Sequence, residues 1–110
     1  MSRYKSKRSQ ATDFDKDTKI DMLRRDGYRC IFCSNSESLT PAHYISRAKG
    51  GLGILENGVC LCVQCHQALD QSPARAHLQL KLQRYLKIKH PDFKDEDRIY
   101  DRRQWLNASD

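Results

Sequence analysis

A small, single α+β domain is the fold class this sequence predicts, with a strand–strand–helix unit at its centre and helices on its flanks. Three observations lead there. A chain of 110 residues with 38% hydrophobic and 31% charged residues supports one thin core and not two. Two Cys-x-x-Cys pairs, Cys30/Cys33 and Cys62/Cys65, bracket the middle third of the chain and can tie its ends together. Between and after them, strand-like runs surround a glycine-containing loop and give way to a leucine stripe at helical spacing.

The elements follow in order. Residues 1–14 are polar and basic without an apolar period, which predicts a disordered tail; the folded domain then spans 15–110. Asp15 or Asp17 can cap a helix whose apolar positions include Ile20 and Leu23, and Gly27 stops it. Tyr28 to Ile31 reads as a short strand entering the first cysteine pair, and Ser34-Asn35-Ser36 is turn chemistry. Leu39 to Ile45 reads as a strand, with Pro41 tolerable at an edge or at the strand start. Ser46 to Gly53 is a loop carrying Gly50, Gly51 and Gly53 together with Arg47 and Lys49. Val59 to Leu61 is the next strand, and the second cysteine pair opens a helix. After Ser72-Pro73 a long helix is expected over 75–89, with Leu78, Leu82 and Leu86 as its inward stripe and Tyr85 beside it. Pro91 ends that helix, and a last one is expected over 95–106.

Cysteine chemistry explains how so thin a core closes. Four thiolates fill a tetrahedral zinc shell and leave no open position, so Cys30, Cys33, Cys62 and Cys65 predict a structural zinc ion. The gap between Cys33 and Cys62 is longer than common paired-knuckle spacings and suits an inserted hairpin. Two disulfides would need an oxidising compartment, and no apolar signal segment precedes the domain, so a cytoplasmic setting is expected. Cys60 alternates with Cys62 on the strand and reads as a small core residue. No apolar run reaches the length of a membrane span. A net charge of +6, with basic clusters in the first ten residues and between 75 and 90, favours a polyanionic partner, nucleic acid first.

Chemistry concentrates in the central unit. His43 sits on its first strand, Asn57 just before its second, and His66 directly after the second cysteine pair. Asp70 follows His66 by four residues, so on a helix the two share a face and can hold a second metal, distinct from the sulfur site. This order of histidine, asparagine and histidine resembles the HNH endonuclease family over residues 28–70. The stretch Pro41 to Gly51 looks like that family's first motif, Glu56 to Cys62 like its central asparagine and strand, and Cys62 to Asp70 like the knuckle and metal helix of its four-cysteine zinc branch. Residues 75–93 look like small phage-type members.

The resemblance implies a ββα-metal, treble-clef-like core and a metal-dependent DNA endonuclease of low sequence specificity, nicking or cutting both strands. His43 would be the general base, and His66 with Asp70 would hold the catalytic ion. It further implies that Asn57 is architectural, bonding across the loop to keep His43 aimed. Mixed nitrogen–oxygen ligation leaves Mg²⁺, Mn²⁺, Ni²⁺ and Zn²⁺ open. Arg47, Lys49, Arg75, Lys81 and Arg84 are the expected phosphate contacts, which position DNA without reading bases. One departure stands out: many members carry a further ligand where this chain has Ala42. That leaves weaker metal affinity, a ligand from elsewhere in the chain, or a degenerate site. The alternative function is therefore a non-catalytic, zinc-stabilised DNA-binding or assembly module. Monomer and dimer stay open, and a larger phage or host complex is implied by the resemblance alone.

Overall fold

The computed structural model describes residues 7–101, as α1 (Lys7–Thr12), α2 (Lys16–Arg25), β1 (Leu39–His43), β2 (Gly58–Cys62), α3 (Val63–Gln71) and α4 (Arg75–Lys89). Short 3-10 turns lie at Arg47–Lys49, Leu55–Asn57 and Asp95–Arg98. The molecule is thus α+β, with its strands paired antiparallel from Leu39↔Cys62 to His43↔Gly58. A two-stranded sheet has only edge strands, which is why Pro41 is accommodated within β1.

All five residues of β2 are buried, and the core is assembled on them. Val59 and Leu61 meet Leu69 of α3 and Leu82 and Leu86 of α4, each at most 4% exposed. Leu78 and Tyr85 pack at the margin of that cluster, so the leucine stripe of α4 faces inward. The fifth cysteine, Cys60, is buried in β2, and burial pushes its thiol up to about 11, as for an inert core residue.

An ion pair at the end of α2 anchors this assembly. The Asp26 carboxylate is fully buried, 2.7 Å from Arg25, and it accepts from the Cys60 amide (2.8 Å) and the Tyr85 hydroxyl. Arg25 also donates to the carbonyls of Leu55 (2.7 Å) and Gly58 (2.5 Å). Removing either partner would strand the other inside the protein, at a cost of about 3–5 kcal/mol.

Three expectations need correction. Residues 7–12, placed in a disordered tail, form α1, because Arg8 donates to the carbonyls of Arg47 and Ala48, both at 3.0 Å, and Thr12 is buried. Residues 1–6 of that tail lie outside the described residues. Tyr28 to Ile31 is no strand: Gly27 and Tyr28 both take left-handed φ values, +70° and +59°, and turn the chain sharply. The Ile31 amide still reaches β2, donating to the Cys60 carbonyl at 3.1 Å. The helix expected over 95–106 is a 3-10 turn at Asp95–Arg98 followed by extended chain, and 102–106 lie outside the described residues. That extended chain crosses the glycine loop instead, with the Tyr100 amide donating to the Gly50 carbonyl at 2.6 Å.

Candidate metal centre and the cleft at His43

The first knuckle is built by its own backbone: the Cys30 amide donates to the Asn35 carbonyl, and the Ser34 amide to the Cys30 carbonyl. The second is built by the start of α3, where Cys62 is the N-cap and its sulfur accepts from the Cys65 amide at 3.5 Å. These turns bring the sulfurs of Cys30, Cys33, Cys62 and Cys65 within 4.8 Å of one another. All are free thiols, and Cys33 Sγ lies 3.6 Å from Cys62 Sγ. Thiolates bound at about 2.3 Å around one tetrahedral ion stand about 3.8 Å apart, so the cluster can hold a metal ion such as zinc. Burial raises the Cys65 thiol far above its ordinary value, and the neighbouring thiols push it further. A cation at the centre removes that penalty. Cys30 is opposed by burial, yet amide donors from Cys62, Cys33 and Phe32 bring it down to about 7.

His43 ends β1, half-buried under the N-terminal segment. Its Nε2 lies 2.7 Å from the Thr12 carbonyl, and its ring stacks on Phe14 with centroids 4.1 Å apart. A carbonyl oxygen can only accept, so Nε2 carries the proton and Nδ1 keeps its lone pair. Burial holds His43 below the ordinary imidazole value, and the Arg47 charge adds to that, against the stabilising Thr12 bond. The ring is thus kept neutral, with one basic nitrogen.

Asn57 is fully buried. Its Oδ1 accepts from the Ile45 amide at 2.9 Å, and its Nδ2 donates to the carbonyls of Ile45 (3.1 Å) and Leu52 (2.8 Å). Those bonds close the loop from 46 to 53 at its base, while the Asn57 carbonyl accepts from the Tyr44 amide beside His43.

His66 and Asp70 occupy successive turns of α3, with Nε2 and Oδ2 3.6 Å apart. That is too long for a hydrogen bond, but close to the roughly 3.4 Å between two ligands of one tetrahedral ion. Among the described residues, no third His, Cys, Asp or Glu joins them in a ligand group. Ala42, beside His43 on β1, is buried in the core at 1% exposure.

Two clefts meet at His43. One, of about 450 Å³, is shared by His43, His66, Arg47, Lys19 and Asp13. The other, of about 570 Å³, runs past Lys49, Asp70, Arg75 and Gln79. Arg47, Lys49 and Arg75 thus line the clefts that meet at His43, with Arg47 in the one that also holds His66. Lys81 and Arg84 are exposed on α4 and line neither cleft.

Sequence reasoning missed the N-terminal contribution: Thr12, Asp13 and Phe14 all touch the cleft residues, Asp13 pairing with Arg47 at 2.5 Å. The one available signal was Phe14, an aromatic residue isolated in a polar stretch. It also missed Thr40, whose hydroxyl lies 2.8 Å from His66 Nδ1. No known family model matches the chain, and no curated protein does.

Proposed function

We propose that this chain is a metal-dependent DNA endonuclease of the HNH type, with a ββα-metal core whose sulfur site holds a structural zinc ion. The observation that carries the reading is His43: a neutral imidazole, its proton fixed on Nε2 by the Thr12 carbonyl and its Nδ1 left basic, lining a cleft it shares with His66. Four thiols around one centre support the zinc assignment.

The residues divide the chemistry of phosphodiester hydrolysis between them. His43 takes the proton of the attacking water at Nδ1. Arg47, Lys49 and Arg75 attract and align the phosphate backbone along the two clefts. His66 and Asp70 would hold the divalent ion, Mg²⁺, Mn²⁺, Ni²⁺ or Zn²⁺, which when bound supplies Lewis-acid stabilisation at the scissile phosphate and the leaving oxygen. Asn57 keeps the loop closed so that His43 and Arg47 hold their relative positions.

The missing ligand at Ala42 favours one alternative, a zinc-stabilised DNA-binding or assembly module that has lost cleavage. A plasmid assay separates the two. Supercoiled DNA incubated with the protein and Mg²⁺, Mn²⁺ or Ni²⁺ should be relaxed or linearised, and His43→Ala should abolish this while still binding DNA. Binding without cleavage under every ion would establish the module.

A further inference from the structure

Thr40 lies on β1 directly across from Leu61, and its hydroxyl makes two contacts. Oγ1 is 3.1 Å from the Leu61 carbonyl and 2.8 Å from His66 Nδ1. A carbonyl oxygen only accepts, so the Leu61 contact requires the single hydroxyl proton of Thr40. With that proton on Leu61, the contact with His66 runs the other way, with Nδ1–H donating to Oγ1. A neutral imidazole has one proton, so Nε2 is left with a lone pair. It points toward Asp70, 3.6 Å from the carboxylate oxygen, with no proton between the two. The His66 side chain is 30% exposed, and it lines a shallow cleft together with Asp70.

We propose that Thr40 is a positioning residue for His66: anchored on the Leu61 carbonyl, it fixes the Nδ1–H tautomer and the ring rotation that present Nε2, with Asp70, as a ligand pair. The inference rests on the endonuclease reading, in which that pair holds the catalytic ion. Such outer partners tune affinity without touching the ion, and their loss costs about 10–100-fold. The Thr40 contact comes from the strand pair and not from α3, which ties the ligand geometry to the register of β1 on β2. That register is itself set next to the sulfur site, since Leu39 pairs with Cys62.

The test uses zinc-loaded protein without added metal, and reads the His66 tautomer from ¹⁵N chemical shifts well above the ordinary imidazole pKa of about 6.5. The parent should show His66 protonated at Nδ1. Thr40→Val keeps the shape and the strand preference but removes the hydroxyl, and should return His66 to a mixture weighted to Nε2–H. Thr40→Ser keeps the hydroxyl and should restore the parent tautomer. Titration with Mn²⁺ or Ni²⁺ should then show affinity about 10–100-fold weaker in Thr40→Val, near parental in Thr40→Ser, with zinc content unchanged in both. An Nε2–H tautomer in the parent, or parental metal affinity in Thr40→Val, overturns the inference. A parent with the Nδ1–H tautomer that binds neither ion overturns the endonuclease reading instead, and leaves Thr40 as the group that sets the His66 ring.

Discussion

At the scale of single residues, His43 is governed by two opposed forces. Burial disfavours its charged form, and a backbone carbonyl rewards the proton on Nε2. Burial wins, so the folded state binds a proton at His43 less readily than the unfolded chain does. The resulting stability is present above the ordinary imidazole value of about 6.5 and is lost as pH falls through the lowered one. If His43 is the base, the acid limb of kcat/KM for plasmid cleavage should have its midpoint below about 6.5; a midpoint above it would mean that another group titrates. Thr40 and His43 also mark where sequence reading stops at this scale. The types and spacings of His43, Asn57, His66 and Asp70 were legible, since each belongs to a local pattern. Their hydrogen-bond partners were not, because Thr40 lies 26 positions from His66 and Thr12 lies 31 from His43.

Elements differ in how far local sequence specifies them. α4 begins after Ser72-Pro73 and ends before Pro91, and its leucine stripe needs only its own period, so its bounds were readable. α1 is the opposite case: six residues hold a helix only because Arg8 reaches loop carbonyls and the Ala11 carbonyl accepts from the Gly53 amide at 2.9 Å. Gly53 permits that approach, since a Cβ there would lie 2.1 Å from the Asp13 carbonyl oxygen. Gly53→Ala should therefore push the segment carrying Thr12 and Phe14 off His43. Cleavage should fall on the order of 10²-fold while zinc content stays whole, because a displacement of about 1 Å at a catalytic group costs that much. Steady-state kinetics with metal analysis would check it; unchanged kcat would remove the N-terminal segment from the site.

For the molecule as a whole, stability and binding draw on different parts. Zinc at a four-thiolate site contributes about 10–16 kcal/mol, comparable to or above the roughly 5–15 kcal/mol that holds a domain folded. Cys65→Ser should accordingly lose zinc and unfold at ambient temperature, seen as loss of cooperative melting by circular dichroism. DNA binding should instead follow the basic residues: if Arg47, Lys49, Arg75, Lys81 and Arg84 each meet a phosphate, log affinity against log salt should fall with a slope of about −4.5. No helix among the described residues is long and apolar enough to cross a membrane. The separation of a closed sulfur site from an open His66–Asp70 site is tested most directly by calorimetric titration of Mn²⁺ or Ni²⁺ into zinc-loaded parent, His43→Ala and His66→Ala proteins. Parent and His43→Ala should bind one ion alike, and His66→Ala should bind it at least about tenfold more weakly while keeping its zinc. Equal binding by all three, or release of zinc from His66→Ala, would contradict the assignment of two metals to two sites.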